Sequence, residues 1–338
     1  MKLDHMAIKT TSQKDATRPE AIIRLDSNRG VLTRFIARIP KGYITGTGKM
    51  LGHFLYYFDV PHRRIVRRNL QFVHPEWSRN QIQNLSKRFF QHFGMTILEL
   101  VQMSFFSREE VLGNARIEGK ENLIEAMTKQ KGVVLISAHL GNWEMAWHLG
   151  PCYFKQQITG VAKKLRNVQL NRMIENRRTR FGNRIIYKKG ALPEMMQTLR
   201  QGKIVAVLMD ISRRFDGVEV IFFGRRATAT PAAALLALRC KSPIVPAFCH
   251  RNGKGNLVIR IEPPVEIKRT NNLRTDIQTN TQLITDRVEQ TIRKNPVQWF
   301  WTLKRWKDFY PDLYPESEKR KQRIQRKEKI KKKSSRAN

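Results

Sequence analysis

The pattern of hydrophobic and polar positions changes near residue 116 of this chain. Before that point, "PEWSRNQIQNLSKRFFQHFGMTILELVQM" repeats apolar residues at helical spacing behind a candidate N-cap, Ser78. After it, short β-branched runs alternate with helical patterns. Buried strands are predicted at residues 132–138, 203–209, 242–248 and 256–262, and helices at residues 141–150, 167–182, 191–201, 229–240 and 275–294. This alternation predicts an α/β fold, with a central, mostly parallel sheet flanked by helices.

The same patterns divide the chain into four parts. Residues 1–30 are polar and are predicted to be disordered, and residues 116–312 form the predicted α/β domain. Residues 31–115 are predicted to be helical, and "MLGHFLYYF" is followed there by the basic "HRRIVRR". Such a mixture suits either a helix lying in a membrane interface or a helical hairpin packed on the main domain. Residues 313–338 are a basic tail that is too polar to bury a core.

Composition narrows the protein class. Hydrophobic residues make up 41% of the 338 positions, which is enough for a packed core. The first thirty residues lack the apolar centre of a signal peptide, and no window approaches the roughly 18 apolar residues of a spanning helix. Three cysteines do not make a disulfide framework. We therefore expect a protein that lies on the cytoplasmic side and has no transmembrane helix.

Net charge points to an anionic partner. The formal charge is +36, and residues 319–336 contain eleven Lys or Arg and one Glu, a net of +10. Subtracting this tail still leaves +26 on the rest of the chain. A nucleic acid, an anionic membrane surface or a phosphorylated substrate would each suit such a charge.

The stretch "GVVLISAHLGNWE" carries the candidate chemistry. His139 follows an apolar strand, where open α/β sheets place their ligands, and Glu144 lies five residues further on. The two side chains can meet if His139 sits on a turn through Gly141 and Asn142 while Glu144 lies in the first turn of a helix. A carboxylate that fixes the imidazole tautomer leaves the other ring nitrogen free to remove a proton.

The chain has no GxSxG elbow to supply its own nucleophile, so the activated hydroxyl would belong to a substrate. The alternatives for His139 are a capped histidine at a helix start or, less readily, a metal ligand with His148. No HExxH motif or Cys pair supports the metal, and no cofactor is predicted.

Five ordered blocks then resemble the bacterial lipid A biosynthesis acyltransferases, a branch of the lysophospholipid and glycerolipid acyltransferases. One of these blocks is "HLGNWE", an HxxxxE box. The others are "RRIVRRNLQFVHPEWS", "KKLRNVQLNRMIENRRTRFG", "VAVLMDISRRFDGVEVIFFG" and "NPVQWFWTLKRWK", and together the blocks extend from about Arg63 to Lys307. An isolated HxxxxE is weak evidence, whereas five blocks in the expected order are strong evidence.

The resemblance implies a glycerolipid-acyltransferase-like fold and an acyl transfer. A fatty acyl thioester, normally on acyl carrier protein or alternatively on coenzyme A, would donate its chain to a hydroxyl of a lipid A precursor. His139 would be the general base and Glu144 the residue that orients it. The arginine and the aspartate that matter in the family fall on Arg178 and Asp210, and its basic block-opening residue falls on Lys163.

Physical roles for these residues remain open at the level of sequence. Arg178, or backbone N–H groups in the turn through Gly141 and Asn142, could stabilise an oxyanion. Lys163 and Arg178 could instead hold a substrate phosphate. Asp210 ends a strand, and it could orient Arg178 or a hydroxyl, or simply cap local N–H groups.

The chain also departs from the family. It has "DIS" where many members have "DQ", it has Leu303 where histidine is common, and it lacks a clear N-terminal spanning helix. The first two departures bear on which acceptor the protein uses. Without a spanning helix, the protein would attach to the membrane through its amphipathic and basic surface. The segment "RRATATPAAALLAL" is expected to be a helix capped by Thr228 or Thr230, and Trp299 and Trp301 to be core or interfacial anchors.

The predicted function is therefore an acyltransferase with no metal and no cofactor, peripheral on the cytoplasmic face of the inner membrane. Its expected partners are acyl carrier protein, an anionic glycolipid acceptor and the membrane surface. A glycerolipid or mannosylated phosphoinositide acceptor is the alternative within the same class. The alternative from another class is a nucleic-acid-binding protein, but no helix-turn-helix, zinc-finger or RNP motif appears. Acyl chain length and the accepting hydroxyl are not determined by the sequence.

Overall fold

The computed structural model describes residues 39–165, 167–187 and 190–316. The N-terminal part predicted to be disordered, and nearly all of the basic tail, lie outside these described residues. Among the helices within them, none combines the length and the apolar character needed to cross a membrane.

The described part of the chain begins with three helices: α1 (Lys41–Phe58), α2 (Val60–Val73) and α3 (Arg79–Gln102). Ser78 is the N-cap of α3, as predicted. Its side chain accepts a hydrogen bond from the backbone N–H of Gln81, and the Gln81 side chain accepts one from the backbone N–H of Ser78. This reciprocal pair satisfies two N–H groups at the helix start and fixes where α3 begins.

Glycines let α1 and α3 approach closely. A Cβ atom on Gly52 would come within 2.1 Å of the carbonyl oxygen of Phe90, and one on Gly94 within 2.2 Å of that of Gly48. Tyr56, Leu70 and Phe89, one from each helix, lie in the same buried cluster as Val134 of the main domain, so the helices pack on that domain. The outer side of α1 nevertheless leaves large apolar side chains exposed: Tyr43, Met50, Phe54, Tyr57 and Phe58.

The central sheet has seven strands in the order β1-β9-β8-β2-β5-β3-β4. They are β1 (Ala115–Glu118), β2 (Val133–Ser137), β3 (Ile158–Ala162), β4 (Arg184–Tyr187), β5 (Ile204–Leu208), β8 (Ile244–Arg251) and β9 (Leu257–Ile261). Every neighbouring pair is parallel except β8 and β9. The predicted α/β fold with a mostly parallel central sheet is confirmed.

Seven further helices surround this sheet: α4 (Arg108–Asn114), α5 (Lys120–Thr128), α6 (Trp143–Phe154), α7 (Val168–Thr179), α8 (Ala191–Arg200), α9 (Ala232–Cys240) and α10 (Leu273–Lys294). Alternate residues of β2 enter two different apolar clusters. Val134 packs in the cluster that includes residues of α2, α3, α8, α9 and α10, whereas Val133 packs in the cluster that includes residues of α4, α5 and α6. Both faces of β2 are buried, which explains why its sequence is an uninterrupted apolar run.

The segment "RRATATPAAALLAL", expected to be a helix over residues 229–240, is helical only in its second half. Residues 225–229 form β7 (Arg225–Ala229), which pairs antiparallel with β6 (Val218–Phe222). Phe223 and Gly224 connect the strands with φ values of 53° and 68°, as a two-residue hairpin turn of type I′ requires. The helix α9 starts only at Ala232.

Side chains near this hairpin are placed as follows. Thr230, and not Thr228, accepts a hydrogen bond near the start of α9, from the N–H of Ala232. The Thr228 hydroxyl donates to Asp308 instead. Trp299 and Trp301 are fully buried, so the expectation that they belong to the core is confirmed.

Candidate active site

Register places His139 and Asp210 side by side. Strands β2 and β5 are parallel neighbours in which Ser137 pairs with Leu208. His139 follows Ser137 by two positions, and Asp210 follows Leu208 by two positions. The carboxyl ends of parallel strands meet at one edge of a sheet. Both side chains therefore emerge at the same point of the edge, although 71 residues separate them in sequence.

The imidazole of His139 is held by Asp210. The Nδ1 atom of His139 lies 2.9 Å from Oδ1 of Asp210, and the backbone N–H of His139 donates to Oδ2 at 2.8 Å. The indole Nε1–H of Trp299 donates to the same Oδ2 at 2.9 Å. Asp210 is fully buried, whereas 15% of the His139 side chain is exposed. With Nδ1 bound to the carboxylate, Nε2 is the ring nitrogen left for a substrate.

Electrostatics strengthens this pair. Burial by itself raises the pKa of Asp210, but the imidazole of His139 and the N–H donors outweigh burial, so the pKa lies below its usual value. For His139, burial lowers the pKa, yet the charge and hydrogen bond of Asp210 outweigh it and leave the pKa raised. The aspartate is thus ionised at neutral pH, and it makes the histidine a stronger base.

Glu144 does not take the place expected for it. It lies in the first turn of α6, but its carboxylate contacts arginines of α7 and not His139. The Nε atom of Arg178 donates to both carboxylate oxygens at 3.1 Å, and its Nη2 atom also donates to Oε1. Arg177 adds a second cation, with Nη2 at 3.5 Å from Oε2. The carboxylate that orients the imidazole in this structure is Asp210.

The Glu144 cluster is buried and fully charged. Burial raises the pKa of Glu144, but the hydrogen bonds and charge of Arg178, with that of Arg177, outweigh burial and lower it. The pKa of Arg178 is raised because its bonds to Glu144 outweigh its own burial. Since 30% of the Arg178 side chain is still exposed, the cluster presents a fixed positive charge beside the histidine.

Gly141 and Asn142 make contacts within the protein. The N–H of Gly141 donates to the carbonyl of Gln298 at 2.9 Å, and its φ of 58° is one that glycine adopts readily. The buried side chain of Asn142 caps α6 by accepting from the N–H of Met145 at 3.0 Å. Its amide nitrogen donates to Glu99 at 2.9 Å. Both residues therefore have protein partners in this structure, and substrate binding by Gly141 and Asn142 stays a prediction.

Lys163 lies directly after β3 at the carboxyl edge and is exposed. It stays a candidate for binding an anionic substrate. Across the residues that the structure describes, no group of three His, Cys, Asp or Glu is arranged to hold a metal ion.

An apolar cavity of about 140 Å³ begins beside this cluster. Trp143, Glu144 and Arg178 line one part of it, and the remainder lies between α6 and the central strands. Small residues make room for it: Ala206 on β5 and Gly160 on β3 both line the cavity. The cavity therefore places an apolar surface directly next to a charged site.

The pattern of the sequence missed several residues around His139. The ring of Trp143 lies edge-on at 5.0 Å from the imidazole, and the ring of Phe300 stacks at 6.2 Å. The backbone N–H of Phe300 donates to the carbonyl of His139 at 2.9 Å. Phe300 and Trp299 belong to the block "NPVQWFWTLKRWK", whose sequence contains no signal that connects it with His139.

Comparison with known proteins shows which sequences this chain resembles. The sequence model of the family described as "Bacterial lipid A biosynthesis acyltransferase" matches residues 28–308. The chain is 24% identical over 284 residues to the lipid A biosynthesis lauroyltransferase of Escherichia coli (strain K12), which covers 80% of this chain and 88% of that relative. It is 21% identical over 282 residues to the lipid A biosynthesis palmitoleoyltransferase of the same organism, covering 82% and 89%. The phosphatidylinositol mannoside acyltransferase of Mycobacterium tuberculosis (strain CDC 1551 / Oshkosh) is 26% identical over 196 residues, covering 56% and 59%.

Proposed function

The chain belongs to the bacterial lipid A biosynthesis acyltransferase family and is an acyltransferase, and from this premise we propose its substrates and mechanism. It transfers a fatty acyl chain from the thioester of acyl carrier protein to a hydroxyl of an anionic glycolipid of the lipid A type. The observation that carries the proposal is the His139–Asp210 pair, next to which Trp143, with its ring 5.0 Å from the imidazole, lines an apolar cavity.

In the proposed reaction, His139 acts as the general base. Its Nε2 atom removes the proton from the acceptor hydroxyl as the oxygen attacks the thioester carbonyl, and a C–O bond forms. Asp210 keeps Nδ1 protonated and stabilises the imidazolium. The tetrahedral intermediate then collapses, the C–S bond breaks, and the proton passes from His139 to the leaving thiolate. The products are an ester and a free thiol.

The Glu144–Arg178 pair supplies fixed positive charge in this mechanism. Glu144 accepts from Nε and Nη2 of Arg178, which leaves Nη1 to donate to a substrate oxygen. A donor that is already held in place stabilises developing negative charge without reorganising during the reaction. We assign Arg178 to the oxyanion or to a phosphate near the accepting hydroxyl, and Glu144 to holding that guanidinium.

The cavity suits the acyl chain. Its lining is predominantly apolar, and each methylene group moved there from water contributes roughly 0.8 kcal/mol. Relatives named for lauroyl and palmitoleoyl transfer support a medium or long chain. Because Glu144 and Arg178 line the cavity, a chain that fills it would end with its thioester near the charged cluster.

A second acceptor has a specific observation in its favour. The relatives named phosphatidylinositol mannoside acyltransferases match 56% of this chain at 26% identity. A mannosylated phosphoinositide is also an anionic glycolipid with free hydroxyls, so the same base and the same cations would serve. Mass spectrometry of membrane lipids with and without the gene would distinguish the two acceptors and would report the chain length.

We further propose that the protein binds the cytoplasmic face of the inner membrane peripherally. The exposed aromatic side of α1 and the net charge of +36 support this, because anionic lipids attract nearby Lys and Arg by roughly 1 kcal/mol each. The variant Phe54→Ser/Phe58→Ser should release the protein from anionic vesicles. Tyr153→Ser, which changes an exposed aromatic residue on α6, is the matched control. Equal binding by both variants would contradict a role for α1.

Acyl transfer itself is tested with the purified full-length chain, acyl carrier protein loaded with fatty acids of several lengths, and a lipid A precursor in detergent. His139→Ala should lower turnover by about 10²- to 10⁴-fold, the usual contribution of a positioned base. His62→Ala, which changes an exposed histidine on α2, should leave turnover unchanged. Full activity of His139→Ala would refute the mechanism, and equal turnover with acyl-CoA would refute the assignment of the donor.

A further inference from the structure

We infer that Glu99 is a positioning residue for the catalytic turn, residues 139–144, and that it acts through Asn142 together with Arg251. The inference deepens the proposed function, because it rests on His139 being the base. Neither Glu99 nor Arg251 lies in the HxxxxE box, and both come from parts of the fold that are distant in sequence.

The carboxylate of Glu99 joins three elements. It lies on α3 and receives two parallel hydrogen bonds from Arg251 at the end of β8, one from Nη1 to Oε1 at 2.7 Å and one from Nη2 to Oε2 at 2.8 Å. Its Oε2 atom also accepts from the amide of Asn142 at 2.9 Å. Only 14% of the Glu99 side chain and 9% of the Arg251 side chain are exposed. A bidentate pair of this kind fixes orientation as well as distance.

Asn142 is well placed to transmit that orientation. It comes three residues after His139 and two before Glu144, and it is the N-cap of α6. Its oxygen accepts from the N–H of Met145 while its nitrogen donates to Glu99, so the start of α6 is tied to α3 through one buried side chain. A shift of Asn142 would move both charged groups of the site.

Arg251 reaches the same turn from the other side. Its backbone N–H donates to the side-chain oxygen of Gln298 at 2.7 Å, and its carbonyl accepts from the Gln298 amide at 2.7 Å. The carbonyl of Gln298 in turn accepts from the N–H of Gly141. The Glu99–Arg251 pair is therefore connected to the turn at two successive residues, Gly141 and Asn142.

A positioning role differs from a purely structural one in its effect on His139. If the turn shifts, the contact of His139 with Asp210 loosens. The charged groups that act on His139 are Asp210 after β5, Glu144 on α6 and Arg178 on α7, and Asp210 contributes most to raising its pKa. A looser contact lowers that pKa, so the acidic limb of kcat/KM should move to lower pH. A variant that only weakens the fold would lower the melting temperature and leave this limb in place.

The test measures kcat and KM of full-length Glu99→Ala, Glu99→Gln and the wild type, at a temperature well below the melting temperatures of all three proteins. Glu99→Ala should lower kcat by about 10- to 100-fold, because displacements on the order of 1 Å cost rates of this size, while KM changes less than about twofold. Glu99→Gln keeps an oxygen for Asn142 and should recover part of the loss. The control is Glu118→Ala, which removes a more exposed ion pair: Glu118 on β1 lies 3.0 Å from Arg260 on β9. This variant should leave kcat and the acidic limb of kcat/KM unchanged.

Outcomes separate this inference from the proposed function. A wild-type kcat and pH limb in Glu99→Ala would overturn the inference while leaving His139 as the base. Full activity of His139→Ala would instead overturn the proposed mechanism. If Glu99→Ala does not fold, Glu99→Gln is combined with Asn142→Ala. Effects on kcat that simply multiply would show that Glu99 does not act through Asn142, whereas a smaller combined effect supports the inference.

Discussion

The substitution Asp210→Asn tests which carboxylate orients the base. Three N–H groups point at the Asp210 carboxylate: the backbone N–H of His139, its Nδ1–H, and the Nε1–H of Trp299. An asparagine has the same shape but offers one oxygen and one NH₂ group. If the oxygen stays with the two donors at Oδ2, the NH₂ group faces Nδ1 and turns that atom into an acceptor. The proton then sits on Nε2, which can no longer act as a base.

The size of the effect follows from these contacts. A hydrogen bond to a charged group contributes about 1.5–3 kcal/mol, which corresponds to about 10- to 100-fold in rate. The wrong tautomer adds to this, so kcat/KM of Asp210→Asn should fall by about 10²- to 10⁴-fold. Since the charge of Asp210 raises the pKa of His139, the acidic limb of the remaining activity should also move to lower pH.

Glu144→Gln is the comparison, measured as kcat/KM against pH with one acyl donor and one acceptor. Its charge contributes less than that of Asp210 to raising the pKa of His139, so the limb should move less. Activity should still fall, because Arg177 and Arg178 lose their partner. A large shift in Glu144→Gln together with no shift in Asp210→Asn would refute the assignment of Asp210.

Three further predictions concern the turn, the cavity and the tail. Gly141→Ala should lower both the melting temperature and kcat, because the Cβ atom of the new alanine would lie 2.2 Å from the carbonyl oxygen of Cys249. The control is Gly182→Ala, which also lies at positive φ but has no atom within 4 Å of the added Cβ. It should lower the melting temperature less and leave kcat unchanged. Ala206→Phe should fill part of the cavity and shift the preference toward shorter acyl donors in competition assays read by mass spectrometry, so an unchanged preference would contradict the cavity as the acyl site. Deleting residues 319–338 removes much positive charge and should weaken sedimentation with anionic vesicles more than turnover in detergent, whereas equal losses would argue against an electrostatic anchor.

Some strands were evident in the sequence and others were not. The strands β2 and β5 and most of β8 are continuous apolar runs, and β9 is apolar except for the exposed Arg260, so their sequences gave a clear pattern. The strands β3 and β4 are short, and they include an internal glycine and an exposed arginine, so their patterns were weak. The hairpin strand β7 was mistaken for part of a helix because alanine and threonine tolerate both structures.

The sequence by itself determined the family and the α/β class and singled out His139 as a candidate base, because apolar runs and ordered motifs are local properties of a chain. It also placed Asp210 at the end of a strand and Arg178 in a basic block. It could not determine which carboxylate meets the imidazole, since that depends on which strands are neighbours and in which register. The pairing of Ser137 with Leu208 brings Asp210 to His139, and the packing of α7 against α6 brings Arg178 to Glu144. Only the tertiary structure decided these partners, because hydrogen bonds between side chains need distances near 3 Å that sequence separation does not set.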